Sequence, residues 1–372
     1  MEMRQLTCCR LRVVVLAVAT FGVATSGSGQ QPGRPSFEGE LDVVRLLVDV
    51  RVLDRAGDPV PDLTTADFTV EIDGEPAVVE AADWFAETVE EDDVERPWVA
   101  PPSSAGAPSP RMPGRLVVVL VQTGWHPSRT TGLFRVSQRA EQMLEGFGPS
   151  DRVALAVFSS HLEVHHDFTS DLETIREGLK ITSVIEKGVT PDAGPWPSLV
   201  EHLDADRAWD AATIESALEV LGDALAPLPG PKEILLVGWG LGRFTRSGVQ
   251  LGSDWKRAFS ALSHARASVF ALDITDAVYH SLEFGLKAAA WDTGGTYIRM
   301  ADFPGLAIDR LNRALGGRYE LSIVVERPTE RGWYELDVEV DRRHATVLSP
   351  PVAVPRGGAA ATPLPARQAA GR

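Results

Sequence analysis

Cysteine is almost absent from this 372-residue chain: it has two, Cys8 and Cys9. Both precede an apolar run at residues 13–24 that follows three arginines and leads into the small residues Ser26 to Gly29. A basic start, a short apolar stretch and small residues, in that order, predict a secretory signal peptide over residues 1–29. A lipid-accepting cysteine would follow the apolar run, so no lipid anchor is expected. The expected mature chain therefore has no thiol, which excludes disulfides, thiolate nucleophiles and cysteine-bound metals, although a periplasmic or extracellular compartment would allow disulfides. Long apolar runs are lacking too. Nothing after residue 24 approaches the roughly 20 apolar residues that cross a bilayer, so membrane insertion is not expected. Positive charge is also in deficit. Lys and Arg number 36 against 52 Asp and Glu, a formal net charge of −16 that becomes −18 without residues 1–29. Such a chain repels phosphate backbones and anionic headgroups, which argues against nucleic acid as a partner. Catalytic motifs are missing as well: there is no G-x-S-x-G elbow, H-E-x-x-H, Walker loop, or G-x-G-x-x-G between a strand and a helix. Thr293-Gly294-Gly295 precedes a strand and reads as a turn. No enzymatic activity and no cofactor are expected.

What is present is an ordinary globular composition, 44% hydrophobic and 24% charged, long enough for roughly two domains at about 150 residues each. Residues 37–86 read as a small β unit: a half-buried strand segment over 41–53, a turn at Asp54 to Pro59, and a hairpin of Phe68–Ile72 and Ala77–Phe85 around Asp73-Gly74. Residues 87–114 combine the acidic run Glu90 to Asp93 with a Pro/Ser/Ala/Gly stretch and read as a disordered linker. The acidic run lacks EF-hand spacing and reads as solvated.

From Arg115 strands and helices alternate. Leu116–Val121 and Glu233–Val237 are continuous apolar runs of the kind buried on both faces of a parallel sheet. Arg152–Phe158 and Leu162–Phe168 read as a hairpin, and Ser268–Ile274 and Thr296–Met300 as further strands. Helical spacing links Leu133, Val136, Ala140, Met143 and Phe147, then Leu172, Ile175 and Leu179 behind the capping-box spacing of Ser170 to Glu173. It recurs at Ala211 to Leu225, at Trp255 to Leu262, at Leu282 to Ala289, and at Leu306 and Leu311, while 186–209 reads as a loop. This predicts a doubly wound, mostly parallel α/β domain over 115–317. Alternating strands return at 319–326 and 333–340, so 318–354 completes the N-terminal unit as a β-sandwich into which the α/β domain is inserted. Residues 355–372 read as a disordered tail.

The order of several short motifs resembles the von Willebrand factor A-related secreted proteins of acidobacteria. They are V-x-D-V-x-V-x-D-x-x-G-x-P-V at Val48 to Val60, D-F-T-V-x-x-D-G at Asp67 to Gly74, D-R-V-A-L-A-V-F at Asp151 to Phe158, D-F-T-S-D-L at Asp167 to Leu172, L-P-G-P-K-E-I-L-L-V at Leu228 to Val237, V-F-A-L-D at Val269 to Asp273, T-G-G at Thr293 to Gly295 and Y-E-L-S-I at Tyr319 to Ile323. The resemblance implies a von Willebrand A-like, Rossmann-type domain. Such domains often hold a divalent cation at the carboxyl ends of their strands, through a D-x-S-x-S loop, a threonine and a second aspartate. Here Gln122 stands at the first aspartate position, Gly124 and His126 at the serine positions, and Trp239 at the second aspartate position; Thr190 alone matches. Losing two carboxylates and two hydroxyls removes the oxygen donors that a hard cation needs, so no metal is expected.

Gln122, Gly124, Trp125, His126, Thr190 and Trp239 are nonetheless expected on one face, outside the carboxyl ends of the strands. Trp125 and Trp239 would form an aromatic lip suited to a protein partner; alternatively, both indoles fold inward over an unused site. The expected function is a non-catalytic, secreted or periplasmic adhesion-type module with an unknown protein partner. An inert envelope scaffold and a carbohydrate binder stacking sugars on the tryptophans are the competing readings. His161, His165 and His166 lie on a strand, with the first two about 13 Å apart, and read as a solvated edge. Asp273 and Asp276 are either substitute ligands or caps of the following helix.

Overall fold

The computed structural model describes residues 44–86, 114–180 and 191–355, apart from 196, 247, 278, 302 and 326–330, all within one compact unit, Asp42–Arg372. The expected signal peptide, the linker with its acidic run, Thr190 and the tail beyond residue 355 lie outside the described residues.

Strand β1 (Val44–Leu53) is followed by β2 (Phe68–Ile72) and β3 (Glu75–Ala86). Asp73 and Gly74 join the last two with φ of 52° and 81°, the left-handed pair that a tight hairpin requires. The α/β layer follows: β4 (Leu116–Gln122), α1 (Pro127–Gln138), α2 (Ala140–Leu144), β5 (Arg152–Phe158), β6 (Leu162–Thr169), α3 (Leu172–Gly178), α4 (Ala205–Asp210), α5 (Ile214–Leu225) and β7 (Lys232–Gly238). Then come β8 (Arg243–Thr245), β9 (Gly248–Gln250), α6 (Ser253–Ala265), β10 (Ala267–Asp273), α7 (Glu283–Asp292), β11 (Tyr297–Arg299) and α8 (Pro304–Leu315). The chain closes with β12 (Gly317–Val325), β13 (Tyr334–Val340), β14 (Thr346–Leu348) and β15 (Val352–Ala353).

Every residue of β4, β7 and β10 is buried, which is why these segments are apolar without alternation. They sit in a sheet of order β11-β10-β7-β4-β5-β6, parallel except for edge strand β6. The period of two along β4 divides it between two cores. Leu116, Val118 and Leu120 pack with Leu218 and Leu221 of α5, Trp255 and Phe259 of α6, and Leu286 of α7. Val117, Val119 and Val121 pack with Val136 of α1, Met143 of α2, Ile175 of α3, and Ile308 and Leu311 of α8.

The flanking strands pair antiparallel in the order β14-β1-β12-β3-β2-β13-β15. Strand β3 is shared: residues 78–86 pair with β12 and 75–77 with β2, so the array folds over a third core, into which Leu46, Val48, Val50 and Val52 point together with Tyr319, Leu321, Leu336 and Val338. The chain is thus a mixed α/β fold whose mostly parallel six-stranded layer is inserted between the two halves of a separate antiparallel layer.

Several local expectations need correction. The 186–209 loop contains helix α4, started by the Asp204 carboxylate accepting the Arg207 N–H at 3.0 Å. The cap of α3 is Asp171, which accepts N–H bonds from Glu173 and Thr174, and not Ser170. Leu306 is 43% exposed; the buried face of α8 is Ala307, Ile308, Leu311 and Leu315. The exposed β8–β9 hairpin had no hydrophobic signature. Among the described residues, no helix is long and apolar enough to cross a membrane.

Candidate functional site

The amino ends of the parallel strands are occupied. The odd-numbered face of β1 lies on them: Arg51 pairs with Glu233 of β7, and Glu233 also lies 3.5 Å from Arg115, whose guanidinium is 3.0 Å from Asp151. Beside this chain of buried charges, Arg266 joins Asp49 at 2.7 Å and Glu320 at 2.8 Å, and Arg318 joins Asp49 at 2.7 Å. Burial alone would raise the Asp49 pKa; Arg266 and Arg318 outweigh it and hold the carboxyl below the usual carboxylate range. With the antiparallel layer covering this end, the carboxyl end faces away from it.

From β4 the chain moves to β5 and β6 on one side and later to β7, β10 and β11 on the other. This reversal puts the loops after β4 and β7 at the crevice position where open α/β sheets take their ligands. Gln122 is buried there and fully engaged. Its Nε2 donates to the Gly240 carbonyl at 3.0 Å, while its Oε1 accepts the N–H groups of Trp239 at 3.0 Å and Gly240 at 3.3 Å. Gly238 permits this approach, since a Cβ would lie 2.8 Å from Oε1.

The two indoles do not form a lip. Trp239 is folded in, its Nε1 donating to the Thr123 carbonyl at 3.1 Å, and the Arg129 guanidinium of α1 lies over its ring, 3.3 Å from the centroid. Gly124 makes room for that stack: a Cβ there would stand 3.0 Å from Arg129 Cδ and 3.2 Å from Trp239 Nε1. Trp125 points the other way and is 83% exposed. His126 caps α1; its Nδ1 accepts the Ser128 N–H and lies 2.7 Å from the Ser128 hydroxyl. The crevice thus gathers Gln122, Gly124 and Trp239 with Arg129, which the sequence reading missed because nothing local ties it to a tryptophan 110 positions away. Burial lowers the Arg129 pKa. No carboxylate among the described residues is bonded to its guanidinium.

Asp273 caps no helix. It is fully buried; Oδ1 accepts the Thr275 N–H at 2.9 Å, and Oδ2 takes the Tyr297 hydroxyl at 2.6 Å and lies 2.7 Å from His280 Nε2. With Glu283, which pairs with Lys287 at 2.9 Å, Asp273 and His280 bring one donor atom each within 4.8 Å of one another, a set that could hold a metal ion. Burial and the Asp273 bond push the Tyr297 phenol pKa well up, so it remains a donor to this carboxylate. Asp276 pairs instead with Arg135 at 3.0 Å.

His161, just before β6, and His165 and His166 within it are partly buried and not a solvated edge. His161 packs at a tilt against Trp209 with centroids 4.2 Å apart, and Glu163 lies between His161 at 2.6 Å and His165 at 3.4 Å. Burial lowers the pKa of both His165 and His166. Asp167 next to them anchors the segment before α4, accepting from Gly194, Ser198 and Leu199 at 2.6–2.9 Å.

One further pattern escaped the sequence reading. The loops after four neighbouring strands each present an exposed aromatic: Trp125 after β4, Phe244 after β7, Tyr279 after β10 and Phe303 after β11, the last three between 67% and 71% exposed. At about 4.8 Å per strand, the ends of these four neighbouring strands span roughly 15 Å. The signal lay in aromatics placed just beyond strand ends in loops of otherwise polar character.

No family model matches this chain, and no curated protein does. Among solved structures it is similar to a von Willebrand factor type A protein from Catenulispora acidiphila, 11% identical over 85% of this chain and 75% of that one, with a TM-score of 0.38. An aerotolerance-related membrane protein from Bacteroides fragilis is 17% identical over 54% of this chain and 98% of that one, with a TM-score of 0.36. The vWF domain of the type V pili tip protein Mfa5 from Porphyromonas gingivalis is 10% identical over 55% and 95%, with a TM-score of 0.34. The architecture described above rests on this chain's own strand order.

Proposed function

We propose that this chain is a secreted or periplasmic, non-catalytic protein-interaction module that binds its partner through the carboxyl-end face without a metal ion. The observation that carries this reading is the row of exposed aromatics Trp125, Phe244, Tyr279 and Phe303 on the end of the sheet that the antiparallel layer leaves open. Large rigid side chains held in water are costly to leave exposed and are the residues that anchor protein interfaces. The metal-free part is supported by Gln122, whose amide is bonded to the backbone of Trp239 and Gly240 just after β7, where an ion-binding loop would need a carboxylate.

The test is capture by the full chain from an envelope extract in EDTA, compared with a variant carrying Trp125→Ser, Phe244→Ser, Tyr279→Ser and Phe303→Ser together. A partner held by the wild type and released by the variant supports the reading. Equal capture by both would leave the inert scaffold, and wild-type binding to a glycan array that the variant loses would favour the carbohydrate reading.

A further inference from the structure

Arg129 has an unusual setting for a charged side chain. Of the arginines near the sheet ends, Arg51, Arg115, Arg266 and Arg318 each meet a carboxylate. Arg129 meets an indole face instead, at the crevice where the strand order reverses. Stacking uses the face of a guanidinium and leaves the N–H donors on its rim, in the plane that a carboxylate engages with two parallel bonds. Half-burial against Trp239 removes part of the water that would otherwise compete for those donors, and Gly124 removes the side chain that would crowd them. The surroundings favour an anion. Arg129 lies in the first turn of the twelve-residue helix α1, whose amino end carries partial positive charge. His126 at the cap is exposed, and Trp125 stands exposed beside it.

We propose that Arg129, stacked on Trp239, is a carboxylate-binding site that selects an acidic side chain of a peptide partner, with the exposed Trp125 covering the bound segment. This rests on the reading of the carboxyl-end face as a binding surface and names the chemistry of what that surface takes. A guanidinium fixed in this way needs no ion, and the recognition should survive chelation. It should weaken with salt, since one partly exposed charge pair is screened within a Debye length of about 8–10 Å at physiological ionic strength.

The test uses the full chain in EDTA against immobilised peptides that differ only in carrying Asp and Glu or the matching Asn and Gln. Acidic peptides should be retained and their amide counterparts not. Arg129→Gln should weaken retention about tenfold or more, the scale of a lost charge-assisted bond pair, while its melting temperature falls only by the few degrees that losing the contact with the Trp239 ring costs. Arg129→Lys should recover part of the binding, keeping charge but losing the planar fork. Equal retention of acid and amide peptides would overturn the proposal, as would unchanged binding by Arg129→Gln or a requirement for added Mg²⁺. The two readings fail separately. If the four-aromatic variant loses its partner while Arg129→Gln keeps it, the surface stands and the carboxylate site falls; if neither variant loses anything, both fall.

Discussion

Four arginines and four carboxylates meet under the amino ends of the parallel sheet, Arg51, Arg115, Arg266 and Arg318 against Asp49, Asp151, Glu233 and Glu320. At the carboxyl ends of the same strands an arginine rests on an indole, and four aromatics stand in water. Both ends carry residues that are costly in isolation, and they differ in where the compensation comes from. At the amino end it is internal: the charges of β1 and β12 are answered by Glu233 of β7 and by Arg266 between α6 and β10, and the match fixes how the two layers register. Buried pairs of this kind add little net stability over apolar packing, yet leave an expensive orphan when one member is removed. At the carboxyl end, under the proposed function, the compensation comes from another molecule.

The amino end is therefore where a single substitution should do the greatest damage. Glu233→Gln removes the carboxylate facing both Arg51 and Arg115 and should destabilise the protein by about 3–5 kcal/mol in urea denaturation. A cost below about 1 kcal/mol would show that the charges do not hold the layers together. The same end should set the acid limit. Because the folded Asp49 pKa lies below its unfolded value, its contribution is complete above the unfolded pKa and disappears as pH falls through the folded one. Melting temperature should thus drop steeply below about pH 4, and Asp49→Asn should lower the neutral value and flatten that acid limb.

At the crevice the expected effects are smaller. Gln122→Glu keeps the acceptors for Trp239 and Gly240 but sets a carboxylate against the Gly240 carbonyl, in place of the donor now bonded there. The cost should be about 1–3 kcal/mol. Melting curves of this variant in EDTA and in about 1 mM Mg²⁺ should coincide, because one added carboxylate does not rebuild the oxygen set a hard cation requires; an upward shift of several degrees would refute this. A milder pH effect belongs to β6. Burial depresses the folded His165 and His166 pKa values, so stability declines as pH falls below about 6.5 and the unfolded chain takes up protons that the folded one refuses. His165→Gln with His166→Gln should flatten the melting temperature between pH 5 and pH 7, both limits being approximate (about one unit either side of the unperturbed value).

Much of this architecture was legible because it depends on local patterns. The run Leu116–Val121 announces burial on both faces, and Asp73-Gly74 can turn a hairpin where most pairs cannot. The second half of the β layer was legible too, since Tyr319 to Ile323 alternates and needs a partner sheet. The amino-end charge network was not: Arg51 and Glu233 stand 182 positions apart, and an arginine in a strand reads as solvated unless its acid is known. For the site, the loops were found but not the roles within them. Trp125 and Trp239 are the same residue in equivalent loops. A carbonyl at Thr123 and a guanidinium at Arg129 draw one inward, and nothing draws the other. Such choices are made by neighbours distant in sequence, beyond the reach of periodicity or spacing.

That pair of indoles gives the sharpest form of the comparison. Trp239→Ser would lose the Nε1 bond and the surface on which Arg129 rests, and should cost about 1–3 kcal/mol while also freeing the guanidinium from its fixed plane. Trp125→Ser loses almost no contact within the protein, being 83% exposed, and should shift stability by no more than about 0.5 kcal/mol. If Trp125 were a remnant of drift, its removal would be silent in every assay. If it is a binding anchor, the variant should melt as the wild type does and still release its partner, and only a residue whose compensation lies outside the molecule can combine those two results.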